Sequence, residues 1–340
     1  MSALVNAAVR PEAVPEPAAA EAMAFHAALP GYRPTPVREL PAVAAELGLA
    51  AVALKDESDR LGLPAFKVLG ASWAVERTLR DQPEVTTLVA ASAGNHGRAV
   101  AHVAASRGLA CRIILPAGAL PARVAAIASE GADVVVIEGS YEDAVAQAEA
   151  EGAAPGVAEI ADVGTSGPAR WVIDGYATLF AEAAAQAAFD LMLVPVGVGS
   201  LAAAAARFGA QAGCRVIGVE PVTAACLTAS LAAGVPSIVV TPGTTMAGLN
   251  CAEVSRAAWP SLRDGIHGTV TVDDDEAAAA MRELAAAGLS IGECGAAPLA
   301  ALRALASGRE CAALRAAVGL GRDSRVLVVA TEGLTASART

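Results

Sequence analysis

No stretch of the 340-residue chain concentrates lysine or arginine, and its 24 basic residues stand against 35 acidic ones for a formal net charge of −11. Without a basic row to neutralise phosphates, nucleic acid is excluded as an expected partner. The six cysteines, at 111, 214, 226, 251, 294 and 311, include no CxxC pair, and the four histidines show no metal-ligand spacing. That scatter points to a reduced, cytoplasmic chain without a metal. Long uncharged segments do occur, the longest from Val222 to Ala252, but Pro236, Pro242, glycines and threonines interrupt it. None reads as a membrane span. The first two dozen residues, with "RPEAVPEPAAAEA", lack a basic start followed by an apolar core. Neither a signal nor a transit peptide is expected, and residues 1–25 read as a flexible arm.

Strand-like runs recur, each followed by a turn and an alanine-rich helical stretch. "TTLVAAS" (86–92) leads into "GNHGRAVAHVAASRG", "CRIILP" (111–116) into "PARVAAIASEG", and "ADVVVIEG" (132–139) into "SYEDAVAQAEAEG". This is a βαβ series, hence a parallel sheet with helices on its faces. After a helical stretch near 168–187 the pattern restarts with "DLMLVPVGVG" (190–199), "CRVIGVE" (214–220) and "SRVLVVATEG" (324–333). Two α/β units follow from this order. The expected division is a large domain of residues 26–85 plus 190–340 around a small inserted domain of residues 86–189.

Three loops are rich in glycine or hydroxyls. "PVGVGSLAAAA" (195–205) joins a buried strand to a helix, so its backbone N–H groups and the helix dipole form an anion site. The same residues fit a GxGxxA dinucleotide fingerprint, with Glu220 at the distance of a ribose partner, so spacing alone leaves an NAD-dependent dehydrogenase open. "SAGNHG" (92–97) offers Asn95 and His96 at a strand-to-helix turn, either as ligand groups or as a helix cap and a first-turn surface residue. "TPGTTMAGLNCAEVS" (241–255) suits either a loop that covers a ligand or a long structural connection. Lys67, in "SDRLGLPAFKVLGAS" (58–72), reads by itself as a snorkelling side chain at a helix start.

In order along the chain, "AFHAALPGYRPTPVREL" (24–40), "LKDESDRLGLPAFKVLGAS" (54–72), "GNHGRAVA" (94–101), "GVGSLA" (197–202), "TTMAGLNC" (244–251) and "ATEG" (330–333) resemble the pyridoxal-phosphate enzymes of fold type II. This is the family of tryptophan synthase β and threonine dehydratase, and the diaminopropionate ammonia-lyase branch is the nearest in look. The resemblance implies an α/β fold of two three-layer αβα domains with mostly parallel sheets, and a homodimer. It implies that Lys67 carries pyridoxal 5'-phosphate as an imine. The imine forms from the neutral amine, and burial among Leu63, Pro64, Phe66 and Leu69 together with the incoming aldehyde is expected to disfavour the ammonium form.

By the same carry-over, the backbone of Gly197, Val198, Gly199, Ser200 and Leu201 holds the phosphate, Asn95 lies beside the phenolic oxygen, and Thr331 faces the pyridine nitrogen. Phe66 and Glu293 border the ring, although Glu293 also suits the start of a helix. A hydroxyl does not favour a protonated ring, which suits loss of a β-substituent more than transamination. Ser72, Ala93 and Gly94 are expected beside the substrate carboxylate, and His96, Met246 and Ala247 elsewhere around the substrate. Ala93 stands where the ammonia-lyase branch has an aspartate that serves D-substrates. Asp162, in "AEIADVG", is the candidate for the second aspartate, which serves L-substrates. The implied reaction is α,β-elimination from a β-substituted L-amino acid, through an aminoacrylate, to a 2-oxo acid and ammonia. Serine/threonine dehydration and β-replacement remain the competing readings.

Overall fold

A computed structural model describes residues 2–17 and 19–334. The strands in chain order are β1 (Ser2–Val5), β2 (Val37–Glu39), β3 (Ala51–Asp56), β4 (Thr87–Ala91), β5 (Ala110–Pro116), β6 (Asp133–Ile137), β7 (Val157–Glu159), β8 (Leu191–Pro195), β9 (Arg215–Pro221), β10 (Gly268–Val272) and β11 (Arg325–Ala330). The helices are α1 (Ala19–Ala27), α2 (Pro41–Leu47), α3 (Lys67–Asp81), α4 (Asn95–Ser106), α5 (Pro121–Ala128), α6 (Tyr141–Gly152), α7 (Gly167–Gln186), α8 (Ser200–Ala212), α9 (Cys226–Ala233), α10 (Trp259–Gly265), α11 (Asp274–Ala286), α12 (Glu293–Ser307) and α13 (Ala312–Ala317). None of these helices is long and apolar enough to cross a membrane.

A seven-stranded sheet runs β1-β10-β9-β8-β11-β3-β2. Its five central strands are parallel and its two edge strands antiparallel. The strand period of two explains the continuous apolar runs of β8 and β11, which are buried on both faces. One cross-strand row, Leu54, Val328, Leu193 and Ile217, faces the layer containing α11 and α12. The next row, Ala53, Leu327, Met192 and Val216, faces the layer containing α3, α7 and α8. Each large apolar side chain so buried contributes about 1.5–3 kcal/mol.

The second sheet is parallel throughout, in the order β6-β5-β4-β7. All its strands lie within the 86–189 segment expected to be the small domain. Helix α7, from the same segment, packs instead on α3, α8 and α1. Two glycines set that approach, since a Cβ on Gly70 would lie 2.6 Å from the Tyr176 ring and one on Gly175 would lie 2.6 Å from the Leu69 carbonyl oxygen. Helix α3 therefore lies between α7 and α4 and links the two sheets.

The amino-terminal residues depart from the expected flexible arm. "SALV" pairs as β1 with the edge of β10. Asn6 then donates to the Arg263 and Ile266 carbonyls, both at 2.7 Å. An open sheet edge offers a row of unpaired N–H and C=O groups, a partner that local composition does not reveal.

Candidate active site

The loop between β3 and α3 is held from below by a buried charge network. Lys55, Glu57, Arg60 and Glu182 put two cations against two carboxylates, all buried. Arg60 donates to Glu182 at 2.7 Å and to Glu57 at 2.6 Å, and Lys55 donates to Glu182 at 2.8 Å and to the Thr35 carbonyl at 2.7 Å. Arg60 and Leu63 pair across a tight turn in which both central residues are left-handed, Leu61 at φ 53° and Gly62 at φ 80°. A non-glycine residue in that region is strained by roughly 1 kcal/mol, so the network must hold it there. On the other side, segment 330–333 stitches the loop in place: the Phe66 N–H donates to the Thr331 carbonyl and the Gly333 N–H to the Pro64 carbonyl.

Lys67, the first residue of α3, emerges from this frame half-buried, with Nζ 2.9 Å from Asp162 Oδ2. The sequence contains two lysines, Lys55 and Lys67. Because Lys55 is enclosed in the network, Lys67 is the amine left for chemistry. Burial does act against the Lys67 ammonium as expected, but the Asp162 carboxylate outweighs it and raises the group well above its ordinary value. Burial alone therefore does not neutralise Lys67. Burial would raise Asp162, yet the positive charge around it holds it well below the usual carboxylate range.

His96 is buried rather than on the surface. Nε2 lies 2.8 Å from the Ile160 carbonyl and so carries a proton, while burial lowers the imidazole pKa against the pull of Asp162. Nδ1 has no hydrogen-bond partner and faces Asp162 Oδ2 at 3.8 Å. The α8 start lies on the far side of Asp162, with Ser200 Oγ donating to its carbonyl at 3.1 Å. Gly199 caps α8 at φ 90° and supplies no side chain to the first-turn N–H groups. Gly94 likewise begins α4 without a side-chain cap. Both helix starts present open donors with favourable dipole ends.

Thr331 and Glu332 follow β11. Thr331 Oγ1 is buried without a partner, and Glu332 Oε2 accepts from Asn95 Nδ2 at 2.6 Å. Burial raises the Glu332 carboxyl above its ordinary value, opposed by hydrogen bonds from Cys294 and Asn95. Glu293 opens α12, buried beside this pair. Phe66 packs its ring 4.7 Å from that of Tyr176, whose hydroxyl is buried and unpartnered.

Ser72 and Met246 lie apart from this cluster. Met246 is fully buried in the core behind the large sheet, with Leu249 and Cys294, while Ala247 is half-buried. Ser72 lines a groove of about 430 Å³ with Phe25, Val68 and His102, and its hydroxyl donates to the Leu69 carbonyl at 3.2 Å. Ala93 is half-buried against the core. Three groups at the site, Glu332, Tyr176 and Cys251, are absent from the expected set. The signal for Glu332 was a carboxylate at the end of an apolar strand; Tyr176 carried none.

Glu220 decides against a dinucleotide. It is fully buried and accepts from the Leu227 and Thr228 N–H groups at 2.6 and 2.9 Å and from Thr228 Oγ1 at 2.6 Å, so it caps α9. Burial pushes it up to about 7. Pyridoxal phosphate needs an amine, an anion cradle and a polar partner for its ring nitrogen. Lys67, the uncapped α8 start and the orphaned Thr331 hydroxyl supply these groups, so the residues present fit it.

Comparison with known proteins agrees, because residues 28–332 match the family described as pyridoxal-phosphate dependent enzyme. The chain belongs to the pyridoxal-phosphate-dependent enzymes. This pyridoxal-phosphate enzyme is 33% identical over 358 residues to the diaminopropionate ammonia-lyase of Salmonella typhimurium, covering 93% of this chain and 89% of that one. It matches a crystal structure of diaminopropionate ammonia-lyase from Escherichia coli in complex with an aminoacrylate-PLP azomethine reaction intermediate, with a TM-score of 0.87, 31% identity, and coverage of 97% and 93%. It is 30% identical to the biosynthetic L-threonine dehydratase of Escherichia coli over 68% of this chain and 45% of that enzyme. The pyridoxal-phosphate enzyme thus has fold type II, built on its two mostly parallel sheets.

Proposed function

We propose that the protein is an ammonia-lyase that removes the β-substituent of an L-amino acid of the 2,3-diaminopropionate kind, releasing a 2-oxo acid and ammonia. The observation that carries this reading is the Lys67–Asp162 pair, 2.9 Å apart, beside the uncapped start of α8. Identity to diaminopropionate ammonia-lyase along nearly the whole chain supports the substrate class.

When bound, pyridoxal phosphate supplies an electron sink that acidifies the substrate α-carbon. Lys67 would hold it through Nζ, the N–H groups of Gly197–Leu201 its phosphate, Asn95 its phenolic oxygen and Thr331 its ring nitrogen, with Phe66 and Glu293 beside the ring. Asp162 is a poor base while Lys67 is an ammonium at 2.9 Å. Once that charge is gone, less opposes the effect of burial and Asp162 becomes a stronger base. Asp162 then takes the α-proton on one face, with Lys67 Nζ as the alternative acceptor. The Gly94 end of α4, with Ala93, receives the substrate carboxylate, and His96 and Ala247 border the substrate.

Ala93 leaves no carboxylate at the "SAGNHG" turn to serve a D-substrate, so the enzyme is selective for L-isomers. The same alanine favours a second reading, since "SAGNHG" is the form of the serine and threonine dehydratases. Pyruvate and ammonia release from L- and D-2,3-diaminopropionate, and 2-oxo acid release from L-serine and L-threonine, separate the two. Faster turnover of L-serine or L-threonine would replace the ammonia-lyase reading, and equal turnover of both diaminopropionate isomers would sink the argument from Ala93. We further propose a cytoplasmic homodimer, and domains divided as 26–85 plus 190–340 and 86–189, which the strand membership of the two sheets supports.

A further inference from the structure

We propose that Glu332 is a positioning residue that fixes the side-chain amide of Asn95. Asn95 opens α4, which packs with the four-stranded sheet, and Glu332 follows β11 of the seven-stranded sheet. Their 2.6 Å hydrogen bond joins residues 237 positions apart across the two units. A side-chain amide has a donor end and an acceptor end of nearly equal shape, and only its partners choose between the two orientations. Glu332 chooses the one that turns Nδ2 towards its carboxylate.

That choice has a chemical consequence. With Nδ2 committed, its second N–H is a donor of defined direction, which suits an oxygen carrying negative charge, whereas a flipped amide would present its own carbonyl oxygen and repel one. Glu332 is itself held in place by its backbone and its neighbours. The Gly292 N–H donates to its carbonyl at 3.0 Å, its backbone bridges Ala65, and a methyl group on Gly292 would come within 3.3 Å of its Cγ. The segment that presents Thr331 therefore also braces Asn95, and one short strand end sets groups contributed by both units.

The inference rests on the proposed placement of Asn95 at the phenolic oxygen. Its test is a double-mutant cycle on the full chain, reading the dissociation constant for pyridoxal phosphate and the absorbance maximum of the bound cofactor. Asn95→Ala and Glu332→Ala should each weaken binding by about tenfold and shift the maximum, the size expected for one hydrogen bond. If Glu332 acts through Asn95, the double variant is no weaker than Asn95→Ala alone. Glu332→Gln keeps the shape but offers a donor as well as an acceptor, so it no longer dictates the amide orientation; it should weaken binding by up to about tenfold and shift the maximum, and it serves even if the alanine variant does not fold. Losses that multiply to about a hundredfold in the double variant, an unperturbed Glu332→Ala, or a Glu332→Gln indistinguishable from the parent would each overturn the role of Glu332. An unperturbed Asn95→Ala would overturn the placement of Asn95 instead.

Discussion

Replacing Glu182 by glutamine is the most informative perturbation of the frame behind Lys67. The carboxylate accepts from Tyr32, from two Arg60 nitrogens, from Lys55 and from the Thr35 N–H, at 2.7 to 3.1 Å. In Glu182→Gln one oxygen becomes an NH2 group. Whichever oxygen it replaces, the new donor faces at least two donors, and the buried cluster is left with one uncompensated positive charge. Removing one partner of a buried pair costs about 3–5 kcal/mol. Linkage gives a similar figure: burial would raise this carboxyl, but Arg60 and Lys55 hold it down to about 2. That displacement is worth about 3 kcal/mol. Because the folded pKa lies below the unfolded one, that stability is fully present above pH 4.5 and is lost as pH falls towards 2. Urea unfolding followed by circular dichroism should show the variant about 3 kcal/mol less stable at pH 7, with the gap smaller by about 1 kcal/mol at pH 3.5. A loss under about 1 kcal/mol at pH 7 would refute the reasoning. So would a gap that widens on acidification.

Two further outcomes follow from the packing and the site. Asp162→Asn should lower turnover by about 10² to 10⁴, the range for loss of a positioned proton acceptor, with the fold intact by circular dichroism. Gly175→Ala places a methyl group 2.6 Å from the Leu69 carbonyl oxygen in the α3–α7 contact. It should cost about 1–3 kcal/mol in urea unfolding and reduce activity, because α3 begins with Lys67.

The parts of the fold legible in the sequence are those where local pattern and environment coincide. β8 and β11 are buried on both faces, so "LMLVP" and "RVLVVA" announce themselves. β3 does not, because "AVALKD" ends in charges whose partners include Glu182, 127 residues from Lys55. β1 and β10 form an edge pair of short, Ser- and Thr-containing runs without a long apolar signature. The site follows the same logic. Lys67, Asn95 and the glycines at 197 and 199 stand in recognisable segments, whereas the protonation of Lys67 depends on Asp162, 95 residues away. Glu332 and Tyr176 are hard to read locally because each matters through a neighbour brought in by folding. Met246 shows the reverse: its loop carries a motif, but an unbranched apolar side chain gains more from the core than from a polar site.

The claim that Lys67 holds the cofactor is tested most directly by reducing the pyridoxal-phosphate-loaded protein with borohydride and mapping the labelled peptide by mass spectrometry. With only Lys55 and Lys67 in the sequence, the result is binary. The account predicts the reduced cofactor on the peptide containing Lys67, and none in Lys67→Ala. Label on Lys55, or no label on a protein that still releases ammonia from its substrate, would contradict it.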